Sequence, residues 1–268
     1  MLHLLRSELF RLRKRPQAWI LGIIMVLSVA TFYVAASIAA TLMSDPDGPR
    51  EAILPANIFE NGMQIVAIVG LILTVVQGAG LIGNEYSWNT IRPLVARATS
   101  RNALLSAKWV TVAIYSTGLF VVGFLATILL SVMSTFVVGN YDGITMALVG
   151  DWLVSFGRIL IGNMPYVALA FCLALLFRSI AAGIAGAIGL LFLEPLVWSL
   201  VGLLTDAFDK VHEFGLEYPS TTLFNMNIGA ADTTSSEAWI AVATLVAWIV
   251  AFVAATYWAF NKRDVTSG

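Results

Sequence analysis

The sequence predicts an all-α polytopic membrane protein with six spanning helices, and three observations lead there. Of 268 residues, 59% are hydrophobic and only 12% charged, and the mean hydropathy is +0.86. A soluble domain carries roughly a quarter charged residues, and so few charges could not cover so much apolar surface. Six separate apolar stretches reach the ~20 residues that a ~30 Å hydrocarbon layer requires. The short alternating segments of a membrane β-barrel are missing. Finally, the charges are sorted: twelve of the fifteen Lys and Arg residues fall on one side of the alternating spans. The net charge of −1 is uninformative until that sorting is seen.

Taken in order, residues 2–15 read as an amphipathic helix within an N-terminal segment 1–17. Leu2, Leu5, Leu9 and Leu12 recur at helical spacing, and Arg6 and Arg13 lie on another face, with Arg15 at the end. Such a helix lies in the membrane interface, Leu toward acyl chains and Arg near anionic headgroups. A basic topogenic tail without fixed structure is the plainer alternative. The spans are expected at 18–43, 62–83, 105–138, 153–177, 180–204 and 239–260. The run from Ala18 to Met43 is far longer than the ~7–15 residues of a signal-peptide core, so it reads as a retained helix. Between the fourth and fifth spans stand only Arg178 and Ser179, which demands a tight hairpin. The outer connection 205–237 carries Phe208, Val211, Phe214, Leu216, Leu223 and Phe224, and reads as short re-entrant helices rather than a solvated linker. The whole, 1–268, reads as one transmembrane domain.

Basic residues gather in the N-terminal tail, at Arg92, Arg97, Arg101 and Lys108, at Arg178, and at Lys262 and Arg263. The opposite loops hold Arg50 and Lys210 against twelve acids. The positive-inside rule makes the basic side cytoplasmic, with both termini inside.

Most enzymatic chemistry is excluded. Cys172 is alone, and His3 and His212 lie on opposite sides of the membrane, which removes a disulfide framework, a His-rich metal site and most His-based catalysis. No P-loop pattern occurs. Gly78-Ala79-Gly80-Leu81-Ile82-Gly83 matches a dinucleotide pattern in form, but it ends a membrane span instead of following a strand. Close helix approach is the better account, and Gly183, Gly186 and Gly189 read the same way. No catalytic, cofactor-binding or metal-binding residue is therefore assigned.

Two ionisable residues fall within spans, Arg158 and Glu194, each costing about 2.5–3.5 kcal/mol at mid-bilayer on insertion scales. Arg158 is close enough to the outer end to snorkel. Glu194 precedes Pro195, where the helical ladder breaks and the span kinks or ends. With Gln77 they are candidates for a translocation path; a structural ion pair or an interfacial carboxylate is the alternative. In the cytoplasmic loop, Tyr86 and Trp88 sit beside Glu85 and Arg92 in a helix expected at 84–94. Aromatics ringed by charge suit a protein-docking anchor, and a helix lying in the headgroups suits the same residues.

This loop resembles the permease subunits of type-2 ABC exporters, the ABC-2 membrane family. Glu85 at the end of the second span, Thr90, Arg92, Leu94, Ser100, Arg101, Leu104 and Lys108 fit that family's pattern, and Asn89 departs from it where Gly is usual. Phe177-Arg178-Ser179, the closing Phe260-Asn261-Lys262-Arg263-Asp264-Val265 and the basic start are also similar. The resemblance implies a membrane subunit of a drug- or antibiotic-exporter-like assembly, not itself an enzyme, in the cell membrane. It implies pairing with a second permease copy or a homologous permease. It implies two ABC ATP-binding subunits that carry ATP-Mg, with Glu85, Tyr86, Trp88, Thr90 and Arg92 coupling them to the membrane part. Lipid is the other partner, and nucleic acid is none. A secondary transporter using Glu194 or Arg158 as a relay, or a membrane assembly or sensor protein, are the readings from other classes.

Overall fold

The computed structural model describes residues 2–43, 47–58, 60–97, 100–138, 146–203, 209–227 and 235–262. Among them there is no strand. The elements are α1 (Leu2–Lys14), α2 (Pro16–Leu42), α3 (Asp47–Ile53), a 3-10 turn (Pro55–Asn57), α4 (Gly62–Ser87) and α5 (Ile91–Arg97). Then come α6 (Arg101–Val138), α7 (Met146–Phe177), α8 (Ile180–Gly202), α9 (Asp209–His212), α10 (Glu217–Asn225) and α11 (Ser235–Lys262). Six of these, α2, α4, α6, α7, α8 and α11, are long and apolar enough to cross a membrane.

Five of the six spanning helices overrun an expected limit, because hydropathy marks only their apolar part. Span one starts at Pro16, whose missing N–H costs nothing in the first turn of a helix, and span two runs on to Ser87. Span three begins at Arg101 and span four at Met146. Pro195 does not end the fifth span, which stays helical to Gly202, and α7 likewise contains Pro165.

Between apolar helices in lipid, burial of apolar area gives little drive, so close approach and hydrogen bonds matter more. α4 is the hub, packed on α2, α6, α7 and α8. A Cβ on Gly83 would stand 2.9 Å from the Ile180 backbone, and one on Gly183 would stand 2.6 Å from the Ala170 carbonyl oxygen. These glycines let α4, α7 and α8 touch backbone to backbone. Gly189, expected to act likewise, has open space around it. One core cluster gathers Leu12, Ile82, Ile91, Phe171 and Phe260 toward the basic end, and another gathers Met25, Tyr33, Ile58, Phe120 and Trp152 toward the other. Large apolar side chains on α2, α8 and α11 remain outward, among them Trp19, Phe192, Leu196 and Trp258.

The hairpin between α7 and α8 is as tight as expected. Arg178 takes the left-handed conformation (φ 54°), and the Ser179 N–H reaches back to the Ala174 carbonyl. The Ser179 hydroxyl then accepts the Ala182 N–H and caps α8.

Two expectations need correction. The segment 84–94 is not one helix: α4 ends at Ser87 and α5 begins at Ile91, with a turn between. α1 does not offer its whole Leu stripe to lipid either. It packs on α6 and α2, and Leu12 joins the core; the side chain of Leu2 is outside the described residues. The outer connection does contain short helices, α9 and α10, while 204–208 and 228–234 lie outside the described residues.

Candidate functional site

At the basic end the last turn of α4 is closed by two reverse hydrogen bonds. The Asn89 N–H donates to the Tyr86 carbonyl and the Thr90 N–H to the Glu85 carbonyl. This is the Schellman arrangement, which needs a left-handed residue just past the helix end. Asn89 supplies it with φ 53°. Glycine does this without strain, and asparagine is the side chain that tolerates it next best. The family departure at this position is therefore conformationally conservative. The same turn carries α5 away from α4 and leaves Trp88 59% exposed.

Inside the turn lies Glu85, which is fully buried. A carboxylate at a helix C-terminus meets the negative end of the dipole, and a buried one must be paired. Three cations do so through Oε1: Arg11 Nη2 at 2.7 Å, Arg15 Nη2 at 3.0 Å and Lys108 Nζ at 3.4 Å. The Thr90 hydroxyl donates to Oε2 at 2.6 Å. Glu8 closes the ring, accepting Arg11 Nη1 at 2.9 Å and Lys108 Nζ at 3.1 Å. Lys108 also donates to the Leu81 carbonyl at 3.4 Å. The cluster thus joins α1, the α1–α2 junction, the end of α4, the turn before α5, and α6. Above it, the Arg15 guanidinium lies 5.4 Å from the Trp88 ring, and that of Arg178 lies 5.9 Å from the Tyr86 ring.

The expected coupling residues Glu85, Thr90 and Trp88 thus come together with Arg15, which the sequence alone places only in an interface helix. Arg6 and Arg13 stay exposed, away from the cluster. The side chain of Arg92 is outside the described residues. Glu8 and Arg11 were not singled out by the sequence; a Glu and an Arg three residues apart in a basic helix look like an ordinary surface pair.

The candidate path residues do not converge. Gln77 is buried in α4, and its Oε1 has no partner among the described residues. Glu194 lies 14 residues into α8, about 21 Å along the helix from Ile180. It is 9% exposed, and its Oε1 accepts the N–H groups of Leu216 at 2.6 Å and Glu217 at 3.2 Å. Glu194 is therefore a cap in trans for α10, whose first-turn N–H groups would otherwise be orphaned. Gly215 leaves room there: a Cβ would meet that carboxylate oxygen and stand 3.1 Å from the His212 carbonyl oxygen. α10 is also held by the Ser220 hydroxyl on the Gly162 carbonyl (3.1 Å), and Trp248 Nε1 donates to Phe214 O just before it (2.9 Å). Arg158 instead donates through Nη1 to Asn227 Oδ1 at 3.2 Å.

Residues 2–265 match a sequence family described as "ABC-2 family transporter protein". Over 62 residues, 23% of this chain, the sequence is 32% identical to a protein of Bacillus subtilis (strain 168) named "Uncharacterized protein YhcI". The matched stretch spans 20% of that protein's length.

Proposed function

The chain belongs to the ABC-2 transporter family, the membrane transport subunits of ABC transporters, and on that premise we propose that it serves as the permease of an ATP-driven exporter. It is a multi-pass membrane protein and the transport component, with ATP hydrolysis on a separate ATP-binding subunit. In the reading favoured here, two permease copies, or this chain and a homologous one, enclose the path in the cytoplasmic membrane. Two ATP-binding subunits with ATP-Mg dock on the basic end, which faces the cytosol. Gln77, Glu194, Pro195 and Arg158 are assigned to the path and its outer closure, and α9 and α10 to a re-entrant segment on the outer side.

The observation that carries this reading is the buried Glu85 cluster directly beneath an exposed Trp88. A partner pushing on Trp88 and α5 pushes on the end of α4. Through Glu85, that displacement reaches α1 and α6 by way of its ion pairs with Arg11, Arg15 and the buried Lys108. Docking and motion are thereby divided between neighbouring residues: Trp88 offers grip and Glu85 transmits. Arg6 and Arg13, exposed on α1, suit anionic headgroups of the same leaflet.

The test is co-purification with the ATP-binding subunit. Trp88→Ala is expected to insert normally and to lose about 2 kcal/mol of association, as central aromatic anchors do. Glu85→Gln is expected to keep the partner and to uncouple hydrolysis from transport. If both variants hold the partner and transport at the parental rate, the turn is a membrane anchor and the coupling role fails.

A further inference from the structure

About 28 Å along α7 from Phe177, toward the end opposite the ion cluster, a partly open polar cavity of about 310 Å³ lies between α7 and the segments beside it. Its wall includes Glu60, Asp151, Ser155, Arg158 and Asn227, with Val154 alongside them. Arg158 is set in place rather than free to swing. Its Nη1 donates to Asn227 Oδ1, and Asn227 Nδ2 in turn donates to the Ser155 carbonyl at 3.2 Å. That leaves the rest of a planar, five-donor guanidinium fork for another acceptor. Glu60 and Asp151 are exposed at the same cavity, and neither forms an ion pair with a described residue. Trp152, in the same wall, is 3% exposed, and its Nε1–H has no acceptor among the described residues.

One fixed cation and two carboxylates around one small cavity complement a zwitterion, an anion for Arg158 and an ammonium for the acids. A lone anion would meet two negative groups, and a lone cation would meet the guanidinium. At ~30 Å³ for each water-sized unit, the cavity takes a group of about ten non-hydrogen atoms, the scale of a phosphate with a short amino-alcohol. Val154 in its wall and Leu153 next to it on α7 are apolar and 55% and 60% exposed. The polar pocket therefore continues into an apolar face along which acyl chains can lie.

We propose that this cavity binds the headgroup of a phospholipid bearing a primary amine. The phosphate engages the Arg158 fork, and the ammonium donates to Asp151 and Glu60. A quaternary amine lacks the N–H donors those carboxylates need, so N-methylated lipids are disfavoured. The site is independent of the coupling reading; it requires only that the chain sit in a bilayer.

The full chain, purified in detergent, is equilibrated with equimolar phosphatidylethanolamine, phosphatidylcholine and phosphatidylglycerol, and the retained lipid is measured by mass spectrometry. The ethanolamine lipid is expected to be retained about tenfold over the choline lipid, the worth of two half-exposed ion pairs. Asp151→Asn with Glu60→Gln, both surface changes that leave the core alone, is expected to erase that preference. Arg158→Gln is expected to abolish retention of all three. Soluble phosphoethanolamine at the same concentration is expected to displace nothing. Equal retention of ethanolamine and choline lipids, a preference that survives the double substitution, retention undiminished in Arg158→Gln, or displacement by the soluble zwitterion would each overturn the proposal.

Discussion

Neutralising Glu85 is the perturbation that asks most of the ion cluster. Removing one partner of a buried ion pair costs about 3–5 kcal/mol because the other charge is left stranded. The structure allows that figure to be discounted. The side chains of Arg11 and Arg15 are 32% and 17% exposed and can turn to water. Lys108, 1% exposed, cannot, but it keeps Glu8 at 3.1 Å. A cost of about 2 kcal/mol is therefore expected for Glu85→Gln, set by Lys108 losing one of two counter-charges. Lys108→Met alone strands no acid completely, since Glu8 and Glu85 both retain Arg11. The double variant Glu85→Gln/Lys108→Met should recover about 1 kcal/mol relative to the sum of the single changes. The assay is thermal unfolding of the detergent-solubilised chain followed by size-exclusion chromatography, with Glu51→Gln on an exposed side chain as the control. If Glu85→Gln unfolds with the control, or the double variant shows no coupling, the cluster does not hold these helices together.

Three other outcomes follow from the geometry. Asn89→Gly should match or exceed the parent in stability, while Asn89→Val should lose about 1–2 kcal/mol by forcing a branched side chain to positive φ; the same unfolding assay ranks them, and equal stability of the two would contradict the capped turn. Glu194→Gln still presents an oxygen to Leu216 and Glu217 and should be nearly neutral, whereas Glu194→Leu strands those N–H groups at about 1–3 kcal/mol for a buried unpaired donor; protease sensitivity of the α9–α10 segment reads the difference. On a Cys172→Ala background, a cysteine replacing Asp151 should react with an impermeant thiol reagent in intact cells and one replacing Arg178 should not, and the reverse pattern would invert the orientation.

The spans were legible because a membrane helix declares itself by length and composition, locally. The hairpin at Arg178 and Ser179 was legible for the same reason, as two residues admit few geometries. The site was only half legible. Glu85, Thr90 and Lys108 stood out through their resemblance to a family pattern, and Trp88 through its chemistry in a polar loop. Glu8 and Arg11 did not stand out, because their partners are Lys108 and Glu85, 100 and 74 residues away in sequence. Periodicity assigned α1 by its leucines, yet its charges decide which side meets the bundle. The single helix over 84–94 failed because one left-handed residue outweighs the helical propensity around it. At Pro195, where a kink and an end were both open, the helix runs on to Gly202, because losing one ladder bond is not enough to stop a helix packed on its neighbours.

α6 runs for 38 residues without a proline, about 57 Å at 1.5 Å per residue. Lys108 pins it near one end. Some 35 Å further along, the Ser131 hydroxyl holds the Ile53 carbonyl at 2.6 Å, next to the turn that leads into α4. The two ends of α6 are thus held by different elements, α1 and α4 at one and the segment before α4 at the other. A tilt of about 5° at Lys108 sweeps Ser131 through about 3 Å, the length of a hydrogen bond. Were α6 to turn as a rigid body about Lys108, a tilt of that size would be enough to make or break the Ser131–Ile53 contact.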